Sequence, residues 1–218
     1  MKASLISTFL LLATATRIQK ANGASSVEKQ LRDAAKDNYV DLVKSLLERG
    51  VDAKATDKYG YSALMWAVLL GNDKVVELLL PKSDVKATDN DGWSPLMRAA
   101  FVGNEKMVEL LLPKSDAKAT DEYGYTPLMR AAFLGNEKMV NLLLPKSDAK
   151  ARQVNGYSAL MIAAMYGTEE SIKLLIPESD VTATNISGET ALEMFKRRCQ
   201  YRECEDRVNI VNLLQQYN

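Results

Sequence analysis

This chain is poor in the residues that do covalent or metal chemistry. It has no histidine and two cysteines, Cys199 and Cys204. No imidazole is present to activate a serine or cysteine nucleophile. A structural zinc site draws four ligands from cysteine and histidine, which two thiols cannot supply. Neither G-x-x-x-x-G-K-S/T nor G-x-G-x-x-G occurs, so no phosphate-cradling loop is expected. Carboxylate pairs such as Glu169-Glu170 fall at predicted helix starts, where compensation of the helix dipole accounts for them. No catalytic residue, cofactor or metal is therefore expected, and the chain is not read as an enzyme.

The chemistry that the spacing does offer is contact chemistry. Tyr61, Trp93, Tyr125 and Tyr157 stand at steps of 32 residues, each after a glycine; Glu189 breaks the series. Leu69-Leu70, Phe101-Val102, Phe133-Leu134 and Met165-Tyr166 keep the same step, each pair before another glycine. These are interface-enriched types, and an exposed apolar row on a soluble chain marks a binding surface. A third series runs Trp66, Arg98, Arg130 and Ile162. Its two arginines could anchor an acidic group on a partner, or be solvated or salt-bridged between repeats. The rings, too, have a second reading: they pack on one another and stiffen the array.

The elements that position these residues follow from the period. Gly60, Gly92, Gly124, Gly156 and Gly188 are 32 residues apart, as are Gly71, Gly103, Gly135 and Gly167. A fixed period in this range means a stack of units too small to bury an apolar face alone. In the third unit, 89–120, Asp89 to Gly92 is a turn signal. Ser94-Pro95 caps and opens a helix, and Gly103 ends it. Asn104 caps a second helix whose apolar face is Met107, Val108, Leu110, Leu111 and Leu112. Pro113 stops it. Each unit is turn, short helix, second helix, loop.

The stretch T-P-L-M-R-A-A-F-L-G-N-E-K-M-V-N-L-L-L from Thr126 to Leu144 resembles the ankyrin repeat. The resemblance implies an all-α ankyrin-repeat solenoid over residues 26–218: an N-terminal cap at 27–56, repeats at 57–88, 89–120, 121–152 and 153–184, and a C-terminal cap at 185–218. Charged Lys29, Arg32, Asp33, Lys36, Asp37 and Asp41 would face outward from the first cap. In the last unit the first helix should continue to about Arg202. Two departures stand out. Met65, Met97, Met129 and Met161 replace the family's histidine after the T-P-L triplet, so loop-to-loop polar contacts should weaken. The link after the second helix is one residue shorter. The resemblance also implies a concave partner-binding face formed by the turn tips and the first helices. Onto it fall Tyr61, Trp66, Leu69, Leu70, Trp93, Arg98, Phe101, Val102, Tyr125, Arg130, Phe133, Leu134, Tyr157, Met165 and Tyr166.

Composition sets the outer bounds. Lysine plus arginine and aspartate plus glutamate both total 28, which argues against non-specific nucleic-acid binding. No apolar run reaches the roughly 18 residues of a membrane helix. Residues 1–25 fall outside the repeat. Lys2, the apolar run Leu5 to Ala13 and the small residues after it resemble a secretory signal. A docked or free N-terminal tail and an organelle transit peptide are the other readings, and Arg17 and Lys20 are unusual near a cleavage site. Secretion or export is the expectation, a cytoplasmic location the alternative. On one helix Cys199 and Cys204 would be about 7.5 Å apart along the axis, too far to bridge; in a loop an exported protein could oxidise them. Asn185-Ile186-Ser187 matches a glycosylation sequon, which chance alone can supply. The reading is a monomeric, non-catalytic protein–protein interaction module. A structural or oligomerisation solenoid, with the apolar row buried in self-association, is the alternative.

Overall fold

The computed structural model describes residues 27–201, 204 and 207–217. The N-terminal segment lies outside the described residues. Among the described residues, twelve α-helices form six consecutive pairs. They divide between two compact units, broken after Asp84.

The first unit holds α1 (Val27–Lys36), α2 (Val40–Glu48), α3 (Ala63–Leu70) and α4 (Asp73–Leu79). Leu31, Ala34 and Ala35 of α1 are buried with Val43 and Leu46 of α2 and with Leu64, Met65 and Val68 of α3. Asn72 ties the pairs together: its Nδ2 donates to the Ala35 and Lys36 carbonyls at 2.7 and 3.1 Å. One outward charge expected from the sequence is not outward. Arg32 is buried, and its Nη1 donates to the Ala55 carbonyl at 3.3 Å. The aliphatic stem lets an arginine lie along a packed helix while its head finds an acceptor.

The second unit holds α5 (Pro95–Val102), α6 (Glu105–Leu111), α7 (Pro127–Leu134), α8 (Glu137–Leu143), α9 (Ala159–Tyr166), α10 (Glu169–Leu175), α11 (Ala191–Tyr201) and α12 (Arg207–Gln216). First helices pack in the order α5, α7, α9, α11, and second helices in the order α6, α8, α10, α12. The local signals are used as their chemistry suggests. Ser94, Thr126 and Ser158 cap the first helices by accepting from the amide three residues on, at 3.2–3.3 Å. Asn104, Asn136 and Thr168 cap the second helices in the same way at 3.1 Å. Pro145 and Pro177 do not end the ordered backbone. Each sits in a one-turn 3-10 continuation, Leu144–Lys146 and Ile176–Glu178, where its missing N–H costs no bond.

The methionines in the histidine position, Met97, Met129 and Met161, are fully buried. Neighbouring turns are instead joined through the backbone: Glu122, Val154 and Ile186 donate to the Asp91, Tyr123 and Asn155 carbonyls at 3.5, 3.0 and 3.1 Å. The loop ladder survives the loss of the side chain because each turn tip supplies a main-chain donor and acceptor. Gly124 shows why the tips need glycine. Its φ is +80°, and a Cβ there would stand 2.9 Å from the Gln153 Cα of the next turn.

The C-terminal cap ends α11 at Tyr201, so Cys204 lies beyond the helix. The Cα atoms of Cys199 and Cys204 are 5.7 Å apart, within the disulfide range, and the two are bonded. Of the two states considered for these thiols, the oxidised one is present. Asn185 is buried in its turn. Its Oδ1 accepts from Ser187 and Glu189, both at 2.9 Å, and its Nδ2 donates to Glu189 at 3.1 Å. The sequon is a turn residue with both amide functions in use.

Candidate partner-binding face

Each repeat builds its share of the face from one turn residue. In the first unit Asp57 Oδ1 accepts from the Tyr59 and Tyr61 amides at 2.9 and 3.0 Å. Its Oδ2 accepts from the Trp66 indole, nine residues on, at 3.0 Å. The Tyr61 and Trp66 rings lie 4.6 Å apart, and Lys36 Nζ stands 4.1 Å from the Trp66 ring centre. Leu69 is half-buried and Leu70 exposed. Burial pushes the Asp57 carboxyl up, but the Tyr61, Trp66 and Tyr59 hydrogen bonds and the Arg32 charge outweigh it and hold the pKa below the usual aspartate value. A depressed folded pKa stabilises the folded state above the unfolded value, and that contribution is lost as pH falls through the folded one. The stability gap between wild type and Asp57→Asn should therefore be full at neutral pH and shrink in urea melts as the pH falls below the ordinary aspartate value. A constant gap would mean that the ionised carboxylate adds nothing.

The second unit repeats the device with arginine in the tryptophan position. Asp89 Oδ1 accepts from Asp91 and Trp93, and Asp121 Oδ1 from Tyr123 and Tyr125. The Oδ2 atoms take Arg98 and Arg130, again nine residues on; the Arg130–Asp121 distance is 2.6 Å. Arg98 is buried. Both arginines are thus engaged by carboxylates of their own repeats, and neither offers the unpaired guanidinium an acidic partner group would need. Arg130 also lies between two rings, 4.2 Å from the centroids of both Trp93 and Tyr125. Phe101 meets Trp93 edge-on at 5.3 Å, and Phe133 meets Tyr166 at 5.1 Å.

The fourth copy of the device differs. Gln153 stands where aspartate stood and Ile162 where arginine stood. Gln153 Oε1 still accepts from the Asn155 amide, so the turn is kept and the ion pair is gone. A cavity of about 300 Å³ opens there, with Tyr125, Tyr157, Phe133, Ile162, Met165 and Tyr166 among its walls. Around these stacks a row of apolar side chains stays in water: Phe101 is 44% exposed, Phe133 46%, Leu134 43% and Tyr166 51%. Trp93, Tyr125, Tyr157 and Met165 are half-buried, and Val102 is exposed.

The structure thus brings the expected face residues of the second unit onto the turn tips and first helices, and it shows rings that pack on one another while leaving their edges open. Sequence reasoning missed Asp89, Asp121 and Gln153, which organise the face. The signal was there: aspartate and arginine nine apart in two repeats, both replaced together in the next. Among the described residues no group of three or more metal-ligating side chains is assembled. No described helix is long and apolar enough to cross a membrane.

Six helix pairs among the described residues, with the positive-φ glycines Gly60, Gly92, Gly124, Gly156 and Gly188 in the turns between successive pairs, define a chain of helix-pair repeats. The family model described as Ankyrin repeats (3 copies) matches residues 31–121, 83–154 and 128–217. The chain belongs to the ankyrin-repeat family, whose members mediate protein–protein contacts and are typically non-catalytic. A curated relative, a mitochondrial disaggregase of Bos taurus, is 40% identical over 70 residues, 32% of this chain. The chain covers 10% of that relative's length.

Proposed function

We propose that this chain is a non-catalytic recognition module of six ankyrin units that binds another protein through the first-helix face of residues 85–217. The observation that carries this reading is the row Phe101, Val102, Phe133, Leu134 and Tyr166, all more than two-fifths exposed on one side of successive first helices. Leaving such side chains in water is unfavourable unless a partner covers them. The rings beneath them are clamped by Arg130, so a partner meets a surface that loses little entropy on binding. The isolated chain is a monomer. Light scattering across a concentration series tests this: a single mass of about one chain is expected. A dimer dissolved by Phe133→Asp would show instead that the row is a self-association surface.

The module acts after export. The Lys2 and Leu5–Ala13 pattern and the Cys199–Cys204 disulfide support this together, because such bonds persist in oxidising compartments. Protein from its native source should lack the first 25 or so residues by intact mass. Neither cysteine should react with an alkylating agent until reduced. A native chain starting at Met1 with two reactive thiols would overturn export.

A further inference from the structure

We propose that the cavity walled by Tyr125 and Tyr157 is a socket for one aromatic side chain of the protein partner. This rests on the recognition reading above and adds to it where the partner's anchor goes and what it is.

Two successive frames of the array carry the argument. In the first, Trp93 and Tyr125 face Arg130, and the guanidinium fills the space between the two rings. The second frame is the same set moved by one repeat: Tyr125 and Tyr157 are its rings, and Ile162 stands in the arginine position. Isoleucine is shorter and carries no planar head, and about 300 Å³ stays open. That is room for one large side chain, at the lower limit of the cavities that take small molecules. The slot is shaped for a flat group, because its filled twin holds one.

The electrostatics choose among flat groups. A partner arginine would copy Arg130 in shape, but the carboxylate is missing. Gln153 has replaced aspartate, and its Oε1 is taken by the Asn155 amide. Among the described residues no carboxylate lines the cavity, and Arg130 in its wall is already paired with Asp121, so an entering cation would give up its hydration with no counter-charge to replace it. An acid gains little, because Asp121 already neutralises Arg130 at 2.6 Å, and it would give up its hydration to ring faces. An aliphatic group fills volume but forgoes stacking. A neutral aromatic ring stacks on the tyrosines and lies beside the Arg130 cation. Asn155, exposed at the mouth, offers a polar partner to a phenol or indole N–H.

The test uses the full chain with labelled methionine and isoleucine methyls. It is titrated in turn with N-acetyl-tryptophanamide, N-acetyl-argininamide and N-acetyl-leucinamide, following Met129, Ile162 and Met165 by NMR. Saturable shifts are expected, with the tryptophan probe about threefold to tenfold tighter than the other two. Gln153→Asp with Ile162→Arg rebuilds the internal pair and fills the slot from inside; the tryptophan shifts at Met129 and Met165 should vanish. Tyr157→Ala, at a half-exposed position, removes one wall and should weaken the titration at least about threefold, which keeps the test decisive if the double variant does not fold. Equal binding of the arginine probe, no saturable shift in wild type, or titrations unchanged in both variants would overturn the socket. A protein partner that binds the slot-filled chain normally, yet is lost on Phe133→Ala with Leu134→Ala, would overturn the socket and leave the recognition face standing.

Discussion

Leu111→Ala lowers the free energy of unfolding by about 2–5 kcal/mol, while Glu109→Ala, two residues earlier on the same helix, costs under about 0.5 kcal/mol. Leu111 is fully buried on the inward side of α6, and Glu109 is exposed. The lost leucine removes transfer free energy and leaves a cavity that neighbours fill only in part. The damage should spread, because α6 packs on α8 as well as on its own pair α5 and repeat arrays hold together through such nearest-neighbour contacts. Urea midpoints of both variants check this; equal losses would mean that the buried face of the second helix has been misassigned.

Asp121→Ala costs roughly 3 kcal/mol, well beyond an ordinary surface change. Its carboxylate accepts two backbone amides of the turn and pairs with Arg130 at 2.6 Å. Removal leaves the turn uncapped and a cation held between two rings without its counter-charge. Gln153→Ala, the matched position with no arginine to orphan, should cost less than half as much. Urea melts of the two variants side by side decide the point. Similar losses would show that the ion pair adds nothing beyond the turn.

What the sequence reveals and what it hides divide along the range of the interaction. Helix starts and stops are local: Ser94 before Pro95, Gly103, then Asn104, each acting on a backbone group within a few residues. The helix pairs, their period and the apolar rows are therefore readable in advance. The Asp–Arg pairing spans turn and helix, and it emerges only when the two are folded against each other. The Arg130 stack needs a ring from the preceding repeat, so no single repeat contains it. A solvated charge is the ordinary expectation for Arg32, whereas the Ala55 carbonyl satisfies it inside. The cysteines turned on where α11 ends: a stop at Tyr201 brings the Cα atoms to 5.7 Å, and a helix through Cys204 would have parted them.

The recognition claim stands most directly on Phe133→Ala with Leu134→Ala. Both side chains are more than two-fifths exposed at the end of α7, whose buried residues are Pro127, Leu128, Met129, Ala131 and Ala132. Stability and partner affinity should therefore part company. With a partner obtained by affinity capture from the native source, calorimetric titration should show a loss of about 2 kcal/mol or more in binding, as for central apolar anchors. The urea midpoint and helical circular dichroism should stay near wild type. Unchanged affinity, or an affinity loss that only follows unfolding, would contradict the account: these residues would then serve the packing of the array, and the partner would bind elsewhere.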